Sequence, residues 1–244
     1  MPRTVSTMNI LLCEPDEVRP GGIALIRDER AEHLRKVLKL SPGDTVAAGI
    51  IGRGRGRGRI LAISHRSAEL KIRLDSPPET LYPLTLAIGM VRPIQVRRIL
   101  KSAAAFGIAG ISFLPTVLGE NSYREASIWT EYRRFLIEGA AQGGICAVPR
   151  VLRYSTLKEF LEESKETGRR LLFDLAPAPV PGKPLSNEEP ALVLIGSERG
   201  WTEEERRQIL GAGFKLRSLG SRILTTESAA AAATTLILRE QGCI

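Results

Sequence analysis

The chain has 244 residues, of which 43% are hydrophobic, which is enough for one large domain or two smaller domains with packed cores. Its formal net charge is +8 and its pI about 9.7, so a polyanionic partner is expected. Aromatic residues make up only 5%, which argues against a surface that binds bases mainly by stacking. The scattered Cys13, Cys146 and Cys243, with His33 and His65, exclude a disulfide framework and the usual zinc motifs.

The N-terminus and the apolar runs of the sequence indicate a cellular compartment. No apolar run approaches the length of a membrane-spanning helix, and no apolar segment follows a basic start at the N-terminus. We therefore expect no metal, no membrane association and a cytoplasmic, reducing compartment.

Residues 1–75 are predicted to form a small β-rich domain. One helix, Glu29–Leu40, interrupts the strands, with Ala31, Leu34, Val37 and Leu38 on its inner face. Short apolar or alternating runs between turn residues predict strands at Ile23–Ile26, Thr45–Ile51, Arg59–Ile63 and Leu70–Leu74.

The segment Gly52–Arg59 reads GRGRGRGR and contains too little apolar surface to form a core. It is predicted to be a solvated hairpin loop, or a flexible arginine loop that grips RNA phosphates. Residues 1–75 carry 14 Lys and Arg against 9 Asp and Glu, so they hold +5 of the net charge of +8. The candidate RNA-binding residues are therefore Arg35, Lys36, Arg53, Arg55, Arg57 and Arg59, with Arg199 from the second domain.

Residues 76–83 are predicted to be a linker, and residues 84–244 a second domain. Its strands alternate with helices, which is typical of an α/β fold with a mostly parallel sheet. Residues 176–190 include five prolines and predict a long irregular loop. The expected strands are Leu84–Val91, Ile111–Leu114 and Leu171–Leu175, and the expected helices are Pro93–Phe106, Trp129–Ala141 and Ser155–Thr167, the last capped by Gly168.

The stretch from Leu192 to Ala233 contains two strands that each end in a glycine-containing bend followed by a helix. The first bend is Gly196–Gly200, after which Thr202 caps a helix, and the second is Gly220–Arg222. Ligands of open α/β sheets bind at such strand ends. Neither a P-loop nor a dinucleotide fingerprint is present, so the bends suit an adenine edge or a methionine-like ligand better than a triphosphate. Ordinary turns remain the alternative.

The two bends, read with their flanks as IGSERGWTEEE and LGSRILTTESAAAAA, resemble the paired signatures of SPOUT-class methyltransferases. The most similar family methylates uridine N3 in small-subunit ribosomal RNA, with the patterns G-P-E-G-G and L-G-P-R-I-L-R-T-E-T-A. The segment His33–Asp44 resembles the start of that family's PUA-like barrel. The matching residues are Gly196, Glu198, Gly200, Leu219, Gly220, Arg222, Ile223, Leu224, Thr226, Glu227 and Ala229.

The resemblance implies a C-terminal trefoil-knotted, mostly parallel sheet with helices and an N-terminal PUA/OB-like β-barrel. It also implies a homodimer, a 16S rRNA or small-subunit substrate, and S-adenosyl-L-methionine bound against the knot loops. The implied cofactor-binding residues are Leu175, Ile195, Gly196, Glu198, Gly200, Leu219, Gly220, Ile223, Leu224 and Thr226, and Asp174–Ala176 is a candidate wall.

Arg222 is the predicted catalytic residue. Uridine N3 carries a weakly acidic proton, and a fixed guanidinium beside the base would favour its anion. A phosphate-binding or structural arginine is the alternative. Glu198 and Glu227 have a second interpretation, as cap and turn residues that shape the loops.

The chain departs from the family pattern at several positions, so it is a divergent member. Ser197, Arg199, Ser221 and Thr225 replace two prolines, a glycine and an arginine of the pattern, and the middle of the chain differs at Ala105 and Ile145. Two alternatives follow: a knotted enzyme acting on a ribose 2′-hydroxyl or tRNA, and an RNA-binding assembly protein that kept the fold and lost methyl transfer.

Overall fold

The computed structural model describes residues 4–5, 9–175 and 189–244, which divide into two compact units. The first contains the described residues up to Thr80 together with Ile137–Val148. The second contains Leu81–Leu136 and the described part of Pro149–Ile244. The boundaries predicted from the sequence, 1–75, 76–83 and 84–244, are instead contiguous.

The segment Ile137–Val148 groups with the first unit because backbone hydrogen bonds attach it there. The Gly52 N–H donates to the Cys146 carbonyl at 2.8 Å. The Cys146 N–H donates to the Glu79 carboxylate at 2.7 Å. These bonds join residues that are far apart in the sequence, so a local sequence pattern does not predict them.

The first unit is built on a curled seven-stranded sheet. The strand order is β1-β5-β6-β7-β4-β3, and β2 also pairs with β5. The pairs β1–β5 and β2–β5 are parallel, and the other neighbours are antiparallel. The expectation of a β-rich domain is confirmed. Its strands are β1 (Thr4–Val5), β2 (Leu11–Cys13), β3 (Val18–Arg19), β4 (Ile23–Ile26), β5 (Thr45–Ile50), β6 (Gly54–Ile63) and β7 (Ala68–Ser76).

Most of the Arg-Gly repeat is a strand, so the prediction of a flexible loop is wrong. Gly54 to Arg59 form the first half of β6, which lies between β5 and β7. The glycines point inward and the arginines outward, which is the two-residue period of a strand. A Cβ at Gly56 would lie 2.0 Å from the Arg73 carbonyl oxygen, and one at Gly58 would lie 3.1 Å from the Ala48 Cβ. Glycine is therefore needed for close packing, and not for mobility.

The predicted helix at 29–40 is shorter and changes its pitch. Helix α1 (Glu29–Glu32) continues into a π-helical turn, His33–Val37, in which the Leu38 N–H donates to the His33 carbonyl. The wider turn rotates Val37 off the inner face. Ala31 and Leu34 are buried as predicted, whereas Val37 is 64% exposed, so its predicted inward position is wrong.

The second unit has a six-stranded sheet among the described residues. Its order is β10-β9-β8-β12-β11-β13, and all neighbours are parallel, as predicted. Every residue of the inner strand β12 is buried, which explains its unbroken apolar run. The strands are β8 (Tyr82–Gly89), β9 (Ile108–Leu114), β10 (Arg150–Arg153), β11 (Arg169–Phe173), β12 (Ala191–Ile195) and β13 (Lys215–Arg217).

Five further helices connect these strands or follow them. They are α2 (Pro93–Phe106), α3 (Ile128–Gly143), α4 (Leu157–Glu163), α5 (Glu203–Gly211) and α6 (Thr226–Glu240), of which α3 spans the division at Ile137. Helix α4 ends earlier than predicted, with Ser164 and not Gly168 as its C-cap. Gly168 instead precedes β11, where a Cβ would lie 2.7 Å from the Pro190 carbonyl oxygen.

Some predictions fall on residues that are not described. Of the expected proline-rich loop at 176–190, residues 176–188 lie outside the described residues, and so does Ala176 of the candidate wall. Within the described ranges, no helix is long and apolar enough to cross a membrane. The same residues contain no group of three or more His, Cys, Asp or Glu side chains that could hold a metal ion.

Substituting Gly56 by alanine should destabilise the protein by about 1–3 kcal/mol, because the new methyl group collides with the backbone of β7. Gly211→Ala is the control, since no atom lies within 4 Å of the position that its Cβ would take, and alanine in a helix is favourable by about 0.5–1 kcal/mol. Urea unfolding followed by circular dichroism measures both. Equal midpoints for Gly56→Ala and the parent protein would contradict the close packing of β6.

Candidate active site

A cavity of about 350 Å³ lies in the second unit where neighbouring parallel strands end. Strands β11, β12 and β13 run in the same direction, so the segments that follow them meet at one edge of the sheet. All ten predicted cofactor-binding residues line this cavity, together with Arg199 and Arg222. The lining is completed by Phe173, Asp174, Ser197, Trp201, Arg206 and Ala229.

The loop after β12 is held tight by its glycines. The Gly200 N–H donates to the Ser197 carbonyl at 2.9 Å, and Gly200 has a φ of 72°. A Cβ on Gly196 would lie 2.9 Å from the Gly200 Cα. The glycines therefore let this loop fold tightly on itself at the edge of the cavity.

Helix α5 begins directly after this loop with a capping box. The Thr202 hydroxyl accepts the Glu205 N–H at 3.2 Å, and the Glu205 carboxylate accepts the Thr202 N–H at 2.9 Å. Glu205 is 5% exposed, and its other carboxylate oxygen accepts the Val117 N–H at 2.8 Å. One buried carboxylate thus joins the helix start to the segment that follows β9.

Two carboxylates of the motif loops contact helix α2. The Glu198 carboxylate accepts the backbone N–H of Arg92, the N-cap of α2, at 3.0 Å. Glu227, at the start of α6, forms an ion pair with Arg98 at 2.8 Å. Both contacts support the loop-shaping role left open for these residues, and for Glu198 they compete with a direct cofactor contact.

Asp174 and Arg206 form an ion pair on the cavity wall. The Arg206 guanidinium donates to the Asp174 carboxylate at 2.8 Å and to Glu203 at 2.6 Å. The hydrogen bond to Asp174 is the main cause that raises the pKa of Arg206. The Asp174 N–H also donates to the Arg217 carbonyl. Asp174 therefore attaches the end of β11 to β13 through its backbone and to α5 through its carboxylate.

The second motif loop turns at Gly220 and leads into α6. Gly220 has a φ of 107°, and its N–H donates to the Ser218 hydroxyl at 3.1 Å. Thr225, where the family pattern has arginine, caps α6 by accepting the Ser228 N–H. Ile223 is 84% exposed although it is apolar and lines the cavity.

Two arginines leave positive charge at the cavity. Arg222 is exposed, and no hydrogen bond or ion pair joins it to another described residue. The Arg199 side chain is 70% exposed, and its only ion pair among the described residues is a long one, 4.0 Å between its guanidinium and the Glu120 carboxylate. The carboxylates of Asp174 and Glu198, in contrast, are bound to donors of the protein.

The remaining predicted RNA-binding residues lie in the first unit but not in one cluster. Arg55, Arg57 and Arg59 project from the exposed face of β6, opposite Ser76, Arg73 and Lys71 of β7. We call Arg55, Arg57, Arg59, Lys71 and Arg73 the basic strip. Arg53 lies in the turn before β6, while Arg35, half-buried beside His65, lies near the opposite end of that strand. Lys36 is paired with Glu32.

Sequence comparisons identify the family. A family model described as an RNA methyltransferase domain matches residues 77–238, and one described as an RNA methyltransferase PUA domain matches residues 26–73. The chain is 36% identical over 241 residues to the ribosomal RNA small subunit methyltransferase E of Treponema pallidum, which covers 95% of this chain and 91% of that protein. The chain belongs to this RNA methyltransferase family.

Other members and solved structures agree. The ribosomal RNA small subunit methyltransferase E 1 of Borreliella burgdorferi is 33% identical, over 93% of this chain and 96% of that protein. The ribosomal RNA small subunit methyltransferase E of Neisseria gonorrhoeae, solved bound to S-adenosyl methionine, has a TM-score of 0.77 at 24% identity, over 98% of this chain and 97% of that chain. The expected fold, a SPOUT-type α/β domain with a PUA-like domain, is confirmed.

Several residues of the methyltransferase cavity are not among the predicted site residues. Trp201 and Arg206 line it without having been predicted. Trp201 follows Gly200 directly and stands inside the quoted motif, so its position was available as a signal. Arg206 gives no such signal, because its partner Asp174 is 32 residues away in the chain.

Removing the Glu205 carboxylate should destabilise the methyltransferase by about 2–4 kcal/mol. Glu205→Ala removes the carboxylate half of the capping box and leaves the Val117 and Thr202 N–H groups without their acceptors. Glu204→Ala is the matched control, since this exposed neighbour makes only surface contacts with Arg207 and Gln208, and such an exposed ion pair is worth under about 1 kcal/mol. Chemical denaturation of both variants provides the measurement, and an equal loss in the two would refute the role of Glu205.

Proposed function

We propose that this protein is an S-adenosyl-L-methionine-dependent methyltransferase that methylates N3 of a uridine in 16S rRNA of the small ribosomal subunit. The observation that carries the proposal is the meeting of both motif loops at one cavity beside Arg199 and Arg222. Relatives named as ribosomal RNA small subunit methyltransferases support the substrate class. The neighbour bound to S-adenosyl methionine supports the cofactor.

The cavity fits this cofactor in size and in chemistry. Its volume of about 350 Å³ lies within the range of roughly 300–1,000 Å³ that is usual for small-molecule sites. Gly196 and Gly200 contribute backbone without side chains to one wall, and Leu219, Ile223 and Leu224 supply apolar surface. Together with Leu175, Ile195, Gly200, Gly220 and Thr226, these residues would hold the nucleoside and amino-acid parts.

The chemistry places few demands on acids and bases. The cofactor supplies an electrophilic methyl group on a sulfonium, whose leaving thioether is neutral. The protein has to orient the base and favour loss of its N3 proton. The Arg222 guanidinium, free of protein partners among the described residues, would stabilise the negative charge on the uridine oxygens. Arg199 provides a second cation at the same cavity.

The basic strip supports an RNA-binding role for the first unit. Arg57 lies directly opposite Arg73, and Arg59 directly opposite Lys71. Like charges in such cross-strand pairs repel each other, and a polyanion on this face would relieve the repulsion. Its contacts would be to phosphates, so they would supply affinity and position more than sequence specificity.

We further propose that the enzyme acts as a homodimer in the cytoplasm, where ribosomal subunits are the available substrate. Ile223 and Val117 support an additional partner, because they are 84% and 73% exposed although both are apolar. Helix α6, which carries the alanine-rich run, packs against α2 of its own chain, so it does not by itself require a second copy.

Calorimetric titration with S-adenosylmethionine and S-adenosylhomocysteine, followed by methylation of small-subunit RNA, tests the proposal. We expect micromolar binding, about −8 kcal/mol, and loss of turnover in Arg222→Ala with little change in cofactor affinity. Arg207→Ala, which removes an exposed arginine of α5, is the control and should remain active.

The outcomes separate the alternatives. Binding of neither ligand by folded protein would favour the RNA-binding assembly protein without methyl transfer. Unchanged turnover in Arg222→Ala would remove this residue from the mechanism. Methylation of a ribose hydroxyl, or of tRNA alone, would replace the uridine N3 assignment.

Arg57→Ser should weaken RNA binding several-fold and lower the slope of log affinity against log salt by about one, because one phosphate contact is lost. Cofactor affinity should not change. Fluorescence anisotropy at several salt concentrations measures the slope, with Arg207→Ser as a charge-matched control. An unchanged slope would exclude Arg57 from the RNA interface.

A further inference from the structure

The indole ring of Trp201 is buried, but its N–H group has no partner among the described residues. The side chain is 4% exposed and belongs to the apolar cluster that includes Leu194, Ile209 and Phe214. Its Nε1 atom makes no hydrogen bond within the described part of the chain. Trp129, the second tryptophan of the chain, instead donates from Nε1 to the Tyr123 carbonyl at 2.8 Å.

An unpaired buried donor is unfavourable, because the group has lost its hydrogen bonds to water without replacement. Such groups are rare in folded proteins and often mark a function or a bound molecule. A phenylalanine would occupy most of the same apolar space and would have no unpaired donor. The indole N–H of Trp201 therefore needs a hydrogen-bond acceptor, and the described protein atoms do not provide one.

The position of the nitrogen shows where that acceptor would be. A Cβ placed on Gly196 would lie 3.2 Å from Trp201 Nε1, so the nitrogen is next to the bare backbone of Gly196. Gly196, Gly200 and Trp201 all line the cavity. The ring thus anchors in the core cluster, while its nitrogen lies beside Gly196, another residue of the cavity wall.

We infer that the Trp201 Nε1–H donates a hydrogen bond to the ligand that occupies this cavity. The inference rests on the proposed function and adds a ligand-binding residue to it. The adenine nitrogens, the ribose oxygens and the carboxylate of an S-adenosyl ligand are all suitable acceptors. The bond satisfies the indole donor only in the ligand-bound protein, so its free energy contributes to ligand affinity and not to the stability of the free protein.

The two tryptophans allow a matched comparison by calorimetry with S-adenosylhomocysteine and by thermal unfolding without ligand. Trp201→Phe should bind about 5- to 10-fold more weakly, with an unfolding midpoint close to that of the parent because no hydrogen bond within the protein is lost. Trp129→Phe should bind normally but unfold earlier, because it loses a hydrogen bond within the protein. Equal affinity of Trp201→Phe and the parent would overturn the inference.

A spectroscopic measurement covers the case in which Trp201→Phe folds poorly. In Trp129→Phe, Trp201 is the only tryptophan, so its indole ¹⁵N–¹H resonance is unambiguous. Saturating S-adenosylhomocysteine should move the indole proton downfield and slow its exchange with water. An unmoved resonance with bound ligand would overturn the inference, whereas absence of binding by the parent protein would overturn the proposed function itself.

5′-Methylthioadenosine, which lacks the amino-acid part, then locates the acceptor. If Trp201→Phe also weakens the binding of this ligand, the acceptor is on the nucleoside. If it weakens only S-adenosylhomocysteine, the acceptor is on the amino-acid part. Both results support the inference, while parent-like affinity for both ligands contradicts it.

Discussion

The buried carboxylate of Glu205 is the interaction on which the geometry of the cavity depends. A buried charge is tolerated only when it is well hydrogen-bonded, and Glu205 accepts from both Thr202 and Val117. These donors belong to the start of α5 and to the segment after β9, and the loop Gly196–Gly200 immediately precedes the helix. The same carboxylate that caps the helix therefore also fixes one end of the cavity wall.

Other acidic groups around the cavity follow the same rule, and this sets its electrostatics. Asp174 is bound by Arg206, and Glu198 by the backbone N–H of Arg92. Their negative charge is therefore directed toward donors of the protein. Arg199 and Arg222 have no comparable partners among the described residues, so positive charge remains available where a nucleotide would enter. This arrangement suits an anionic substrate that becomes more negative on losing a proton.

Features that depend on short-range chemistry could be predicted from the sequence. The start of α5 follows from a threonine followed three residues later by glutamate, and the parallel sheet follows from alternating strands and helices. The Arg-Gly repeat was misread because its composition favours a loop, although its two-residue period is that of a strand. The glycines allow β6 to approach β7 closely. This contact between two strands cannot be seen in a single sequence.

In the site, too, the sequence predicts local features but not contacts between distant parts of the chain. The family patterns led to the two motif loops, but they did not reveal that Glu198 contacts α2 or that Asp174 pairs with Arg206. Each of these contacts joins elements that are separated by other strands or helices in the chain. A pattern of residue types can select the loops that form a cavity, while the direction of each side chain depends on the packing around them.

The two groups of arginines are expected to contribute to different steps of the reaction. The proposed phosphate contacts at the basic strip would be the same before and during methyl transfer, so they would lower the free energy of substrate and transition state equally. In the proposed reaction, charge on the uridine ring would grow only as N3 loses its proton, so the interaction with Arg222 would strengthen toward the transition state. Losses at the strip should therefore affect mainly KM, and losses at Arg222 mainly kcat. An arginine that served only to hold phosphate would not show this difference, and for that reason the kinetic parameters bear directly on the assignment of Arg222.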